Sequence, residues 1–393
     1  DRRPGATGLR RPVRWTRAGD ADCKRVGGLP AHAVVPVGAA GARVVGAWIV
    51  GAWVVGAWVV GMRVAGIDAD RSPAPPAGPE SLIERRCFVV GCPRSGTTLV
   101  QAMLAAHSDV MSFPETKYVS EVVGDYPRRA LGRPASAGVR GLRTRLRVGL
   151  GLASRTAVPS FRRVMRELDR PELTSTLHGR PLTIARAVRA LVENLDRIAE
   201  GAGRGVWVEK TPTYYAYLEY LERHCDAARF VHVIRPGADV IASLTDAARR
   251  HPNSFWARDF GRVEDCVRVW NRAIEASASR VGRPEHYLLD FARLTADPAT
   301  VLRDLCRWLD IEFEPGMATD YGRAAERLLL PGEHWKAGVR EPVRTEDKFR
   351  RLFSEDEQAR ILEQLAPLAA VLPDSGPATA AEGPRGRRHA GSS

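Results

Sequence analysis

No two cysteines in this chain are separated by two residues. The six cysteines, at 23, 87, 92, 225, 266 and 306, are scattered. That spacing excludes a C-x-x-C zinc site and gives no disulfide framework. Several of them sit in apolar runs and read as small core residues. Acid is also in short supply: 59 Lys and Arg face 46 Asp and Glu, a net charge of +13. The deficit is most local over residues 127–163, which hold ten arginines and no acid. Such a balance suits anionic partners such as nucleotides, nucleic acid or acidic membrane; GC-rich codon usage is the alternative cause. The segment itself reads as a solvated helical insertion, a basic flap over a site, or a docking face for an acidic acceptor.

A third absence is more specific. Residues 87–99, CFVVGCPRSGTTL, run from an apolar strand through a tight loop into a helix. Gly91, Gly96 and Thr98 fall on the phosphate-loop spacing G-x-x-x-x-G-K-[ST], but Thr97 stands where the lysine belongs. Backbone amides of such a loop, with the start of the following helix, cradle an anion. In nucleotide triphosphatases the lysine reaches the β- and γ-phosphates. Its loss predicts a ligand without a γ-phosphate. No Asp or Glu stands at a clear magnesium-binding position, and no metal is expected.

Residues 1–79 do not read as a folded domain. A five-residue repeat, VGAWI-VGAWV-VGAWV, runs from Val45 to Val59 and matches neither the helix nor the strand period. Residues 44–62 contain nineteen uncharged residues, enough to span a bilayer, with basic residues before them. A translated upstream region, with Met62 as the start, competes with a membrane anchor for this leader. The location follows the choice: cytoplasmic in the first case, membrane-anchored through 44–62 in the second. Residues 71–79 are a Pro-rich spacer. The folded domain is expected over 80–373, and a disordered tail over 374–393.

Within that domain short apolar runs alternate with amphipathic segments. Strands are expected at Cys87–Gly91, after Ser108, at Val206–Lys210, Arg229–Arg235 and His286–Phe291. Helices are expected at Thr97–His107, 183–200, 214–224, Asp239–Arg249, 260–280, 298–309 and 355–371. The alternation predicts an α/β fold: a P-loop-type parallel sheet flanked by helices on both faces. Ligands of such sheets bind outside the carboxyl ends of the strands. Arg94, Ser95, Gly96, Thr97, Thr98, Glu115, Lys210 and Arg235 all fall there. Arg235 closes a strand and Ser243 follows eight residues on, a charged fork and a hydroxyl for one phosphate. Glu115, partly buried at that edge, could take a proton from an acceptor hydroxyl. His107, at a helix end away from the loop, is a rival base but reads as structural.

The wording PRSGTT resembles the 5′-phosphosulfate loop of sulfotransferases that use 3′-phosphoadenosine 5′-phosphosulfate (PAPS), and Arg235 with Ser243 resembles their 3′-phosphate motif. The run RSGTTLVQAMLAAHSDVMSFPETK is similar to the corresponding run of tyrosylprotein sulfotransferases and of bacterial sulfotransferases acting on carbohydrates and lipids. The resemblance covers about residues 84–310. It implies in-line sulfuryl transfer from PAPS to a hydroxyl acceptor, with Glu115 as general base and Lys210 and Arg94 as catalytic partners. It assigns the nucleotide to Arg94, Ser95, Gly96, Thr97, Thr98, Arg235 and Ser243, and requires no metal. Residues 333–340, with Trp335, Lys336 and Arg340, are the candidate for a C-terminal loop over the nucleotide. The acceptor is expected to be a small molecule, carbohydrate, lipid or phenol, not nucleic acid. Two alternatives remain: a P-loop kinase or nucleotide triphosphatase, and a non-catalytic basic binder of nucleic acid or membrane.

Overall fold

A computed structural model of the chain describes residues 83–134, 138–177, 182–327 and 348–372. The leader 1–79 with its repeat 44–62, the tail 374–393, and Trp335, Lys336 and Arg340 lie outside the described residues.

Five strands form one sheet: β1 (Arg85–Gly91), β2 (Val110–Phe113), β3 (Val206–Lys210), β4 (Ala228–Ile234) and β5 (His286–Asp290), in the order β2-β3-β1-β4-β5. Every pairing is parallel. β1 is central, and Cys87–Val90 is wholly buried. A strand covered on both faces can be apolar at every position, which explains the unbroken run CFVVG.

Because successive strand residues face opposite ways, the two sheet faces acquire different cores. One is aliphatic. Cys87, Val89, Val208, Val231 and Val233 pack with Leu99, Val100, Met103 and Leu104 of α1 (Thr97–Ala105). The other is aromatic: Phe88 stacks on Phe230 at 5.7 Å between centroids and meets Trp207 edge-on at 5.2 Å. The Trp207 indole donates to Asp196 across 2.7 Å.

The remaining helices used below are α2 (Tyr118–Val123), α3 (Val139–Gly149), α4 (Ala157–Glu167), α5 (Ile184–Gly201), α6 (Gly237–Arg250), α7 (Phe255–Phe260), α8 (Val263–Ala278), α9 (Phe291–Ala296) and α10 (Pro298–Leu309). Three expected helices are divided or cut short. Over 214–224 a 3₁₀ turn, Pro212–Ala216, precedes a helix that begins only at Leu218. The segment 260–280 begins only at Val263, because Gly261 closes α7 first. The segment 355–371 stops at Glu363, and Leu368–Ala370 follows Pro367 as a separate 3₁₀ turn. Proline cannot extend the hydrogen-bond ladder and biases its predecessor away from helix.

Candidate active site

β1 lies between β3 and β4, so the loop after it runs between the carboxyl ends of both neighbours. Two glycines shape that loop. Gly91 has φ 151°, and a Cβ there would stand 2.7 Å from the Val233 carbonyl oxygen. Gly96 has φ 98°, and a Cβ there would lie 2.0 Å from the Phe291 ring. Neither position tolerates a side chain. Gly96 is also the N-cap of α1, which has no side-chain cap and no acid in its first turn. The amides of Leu99 and Val100 close onto the Gly96 carbonyl. Those of Thr97 and Thr98 have no backbone partner of this kind among the described residues, as the geometry of a helix start dictates. An uncapped helix start behind a cramped glycine loop is an anion cradle.

Arg94 lies in the same loop with φ 74°. Its Nε donates to Ser243 Oγ on α6 at 3.1 Å. Arg235 Nη1 donates to the Arg94 carbonyl at 3.3 Å. Arg94 lies over the Trp256 ring at 5.8 Å, and Arg235 over the Phe291 ring at 5.0 Å. The loop and the Arg235–Ser243 motif are therefore one unit. Burial, and then the neighbouring Arg235 guanidinium, push the Arg94 guanidinium below its ordinary value, while Asp246 pulls it back. Arg235 Nε is 3.5 Å from the Asp239 carboxylate, yet makes no aligned hydrogen bond among the described residues. Two guanidiniums so close, incompletely balanced by acid, favour a polyanion.

On the other side of β1, Lys210 ends β3 almost fully buried, and its Nζ hydrogen-bonds Glu115 Oε1. Lys117 Nζ lies 3.9 Å from Glu115 Oε2. The structure thus brings together Arg94, Ser95, Gly96, Thr97, Thr98, Arg235 and Ser243 at one end of this sheet edge, and Glu115 with Lys210 beside them.

Glu209 was not foreseen as part of this arrangement. It is fully buried on the aromatic face, one residue before Lys210. Its Oε1 accepts from the Thr116 amide at 3.0 Å, the Thr116 hydroxyl at 3.0 Å and the Thr211 hydroxyl at 2.6 Å. Thr116 Oγ1 is also 2.8 Å from the Tyr214 hydroxyl, which accepts from the Val119 amide at 3.0 Å. This clamp joins the residue after Glu115 to both residues flanking Lys210. Burial pushes the Glu209 carboxyl up to about 7, against the pull of those hydrogen bonds. Its Oε2 has no hydrogen-bond partner among the described residues. The signal in the sequence was an acid inside an otherwise apolar strand, VWVEK.

The insertion 127–163 reaches the same loop: Arg163 Nη2 on α4 donates to the Thr116 carbonyl and to Glu121, each at 3.0 Å. His107 is turned away from it. Its Nδ1 accepts from the Asp109 amide at 3.0 Å and its Nε2 contacts the Glu312 carbonyl at 2.8 Å, so both ring nitrogens are engaged. Among the described residues no group of three or more His, Cys, Asp or Glu is placed to hold a metal, and no helix is long and apolar enough to cross a membrane.

Residues 87–315 match the sequence model of the sulfotransferase family. The chain belongs to that family. It is 26% identical over 230 residues to protein-tyrosine sulfotransferase 1 of Danio rerio, covering 57% of this chain and 52% of the relative. It is 25% identical over 231 residues to protein-tyrosine sulfotransferase 2 of Gallus gallus, covering 58% and 51% respectively. The chain thus spans about half the length of the curated relatives it matches. Among solved structures, the sulfotransferase domain of the Synechococcus PCC 7002 olefin synthase aligns at 21% identity with a TM-score of 0.44, over 74% of this chain and 96% of that one.

Proposed function

We propose that this sulfotransferase-family chain moves a sulfuryl group from PAPS to a hydroxyl acceptor, with Glu115 as general base. One observation carries the reading. The two-arginine anion loop and the Glu115–Lys210 pair occupy adjacent strand ends of one sheet edge. A donor phosphosulfate on the loop would then stand beside a carboxylate able to take the acceptor's proton.

In this reading Arg94, Ser95 and the amides of Gly96–Thr98 hold the 5′-phosphosulfate, while the Ser95 amide closes the loop onto the Cys92 carbonyl at 3.1 Å. Arg235 and Ser243 take the 3′-phosphate. The residues fit such a polyanionic ligand because the helix start at Gly96 carries no side-chain cap and no acid in its first turn and because the buried Arg94 guanidinium lies beside a second one, that of Arg235. The acceptor oxygen bonds to sulfur while the bond from sulfur to the bridging oxygen of the 5′-phosphate breaks, in line. The hydroxyl proton goes to Glu115. That proton also releases Lys210: when Glu115 becomes neutral, the ammonium loses its counter-charge and turns to the negative charge growing on the leaving phosphate oxygen. Stabilising charge that appears only in the transition state is what accelerates such a step.

The test is mass spectrometry of the full chain with PAPS and a panel of phenol, peptide-tyrosine, sugar and lipid hydroxyls. Addition of one sulfuryl group to a panel member supports the reading. Magnesium-dependent turnover of ATP, with no sulfated product, points to the kinase alternative.

A further inference from the structure

Helix α3 is built inside out. Val139, Leu142, Leu146 and the following Leu150 recur at three- and four-residue steps, so they share one helix face, and they are 66%, 51%, 52% and 69% exposed. The face turned to the protein carries small side chains instead: Gly141 is buried, and Thr144 and Val148 are half-buried. Helix α5 shows the ordinary arrangement, with Val188, Leu191, Leu195 and Ile198 buried. The C-terminal end of α3 is tied to the domain. Arg147 near its end donates to the carbonyls of Val123 and Leu152, and Ser154 beyond it donates its amide to the Val122 carbonyl at 2.7 Å. That tie at its C-terminal end orients the helix with the aliphatic stripe outward.

The charge around the stripe selects its occupant. Arg143 and Arg145 are exposed and, at 100° per residue, lie on the two borders of the aliphatic face. The surrounding segment 127–163 has no acid to balance them. A second copy docking through a two-fold axis would set this basic patch against itself. An acidic soluble partner would need an apolar groove of matching length between its acids as well. A bilayer with anionic headgroups satisfies both, with leucines at the acyl boundary and guanidiniums among the phosphates.

We propose that α3 docks the chain on an anionic lipid surface through Val139, Leu142, Leu146 and Leu150, with Arg143 and Arg145 at the headgroups. This inference does not depend on the reading of the active site.

The experiment is co-sedimentation of the full chain with vesicles of phosphatidylcholine alone and of phosphatidylcholine with phosphatidylglycerol. Binding is expected only to the second. The variant Leu142→Ser/Leu146→Ser/Leu150→Ser should lose roughly tenfold in partitioning for each leucine and lower the thermal midpoint only slightly, through serine's weaker helix propensity, since the side chains face outward. Arg143→Gln/Arg145→Gln should lose about fivefold per arginine. Arg186→Gln/Arg197→Gln, which removes equal charge from exposed sites on α5, should bind like the parent. Four results would each overturn the proposal. They are a parent that ignores anionic vesicles, unchanged binding of the triple-serine variant, an equal loss in the α5 control, and a midpoint for the serine variant lowered as far as the loss of buried leucines would lower it. Self-association that the serine substitutions abolish would assign the face to a second copy instead.

Discussion

Lys210 reaches Glu115 across the boundary between two neighbouring strands, with its ammonium hydrogen-bonded to the carboxylate. The pair has unequal exposure: the Lys210 side chain is 1% accessible and that of Glu115 is 12%. A lysine so buried needs a counter-charge to remain an ammonium. Glu115 supplies it, and its second oxygen lies toward the more exposed Lys117, 3.9 Å away. One carboxylate therefore has two tasks, holding a buried cation and accepting a proton. The two tasks are coupled.

That coupling shapes the outcome of Glu115→Gln. Glutamine keeps an oxygen for Lys210 but removes both the base and the charge. We expect kcat to fall by about 10²–10⁴-fold, the usual contribution of general-base catalysis. Donor affinity, measured by calorimetry with adenosine 3′,5′-bisphosphate, should change little. The thermal midpoint should also drop, since breaking a buried pair leaves a charge uncompensated. Near-normal kcat with a good acceptor would move the base elsewhere.

Arg235→Ala tests the donor site separately. A charge-assisted hydrogen bond contributes about 1.5–3 kcal/mol, so affinity for adenosine 3′,5′-bisphosphate should fall roughly ten- to a hundredfold. Affinity for adenosine 5′-phosphate, which lacks the 3′-phosphate, should hardly move. Equal losses for both ligands would remove Arg235 from the 3′-phosphate. They would implicate the carbonyl of Arg94, which Arg235 also holds.

The parallel sheet was readable because its strands are apolar runs separated by helix-period segments, and because chemistry-bearing residues accumulate at strand ends. Cys87–Gly91 and Pro298–Leu309 came out with little or no change. Local pattern could not reveal Glu209, whose role depends on a hydroxyl 93 positions earlier in the chain. Nor could it orient α3. Over 127–163 the sequence reads only as a solvated helical insertion, a basic flap or a docking face, and the tertiary structure is what shows Val139, Leu142, Leu146 and Leu150 pointing outward. Helix ends were misjudged where Gly261 and Pro367 interrupt otherwise helical segments.

A buried histidine pair is expected to make the fold sensitive to acid. His232 Nε2 meets His286 Nδ1 at 3.0 Å, and His232 Nδ1 meets the Ser277 hydroxyl at 2.9 Å. Burial lowers His232 to about 3 and His286 to about 4, with the neighbouring imidazole adding to the first. The unfolded chain takes up these protons near the ordinary value of 6.5. Between 6.5 and about 4 it therefore binds protons that the folded chain refuses. Stability rises with pH across that window and is lost as pH falls through it. Urea midpoints at pH 7 and pH 5 should show the decline, and His232→Gln should flatten it. An unchanged slope in that variant would assign the acid sensitivity to other groups.

Glu209 has the opposite sign. Its folded value is raised to about 7 from an ordinary 4.5. Between those values the folded chain keeps a proton that the unfolded chain has released. Its contribution is complete below 4.5 and is lost as pH rises through about 7. A shift of that size corresponds to roughly 3 kcal/mol. Part of it opposes the effect of the two histidines over the same pH range, so the wild-type profile shows only the net decline and variants must separate the contributions. Glu209→Gln keeps an oxygen for the Thr116 and Thr211 donors and removes the titration. It should therefore hold kcat within a few-fold at pH 6 and flatten the loss of stability toward pH 8. Glu209→Ala leaves those donors unpartnered and releases the strand end carrying Lys210 from the loop carrying Glu115. It should lower kcat for sulfuryl transfer while calorimetric affinity for adenosine 3′,5′-bisphosphate stays near that of the parent, because the donor loop is held from β1 and β4. A generally loosened fold would weaken donor binding as well. Equal losses of kcat and donor affinity, or a glutamine variant as impaired as the alanine one, would deny Glu209 its role in setting the Glu115–Lys210 register.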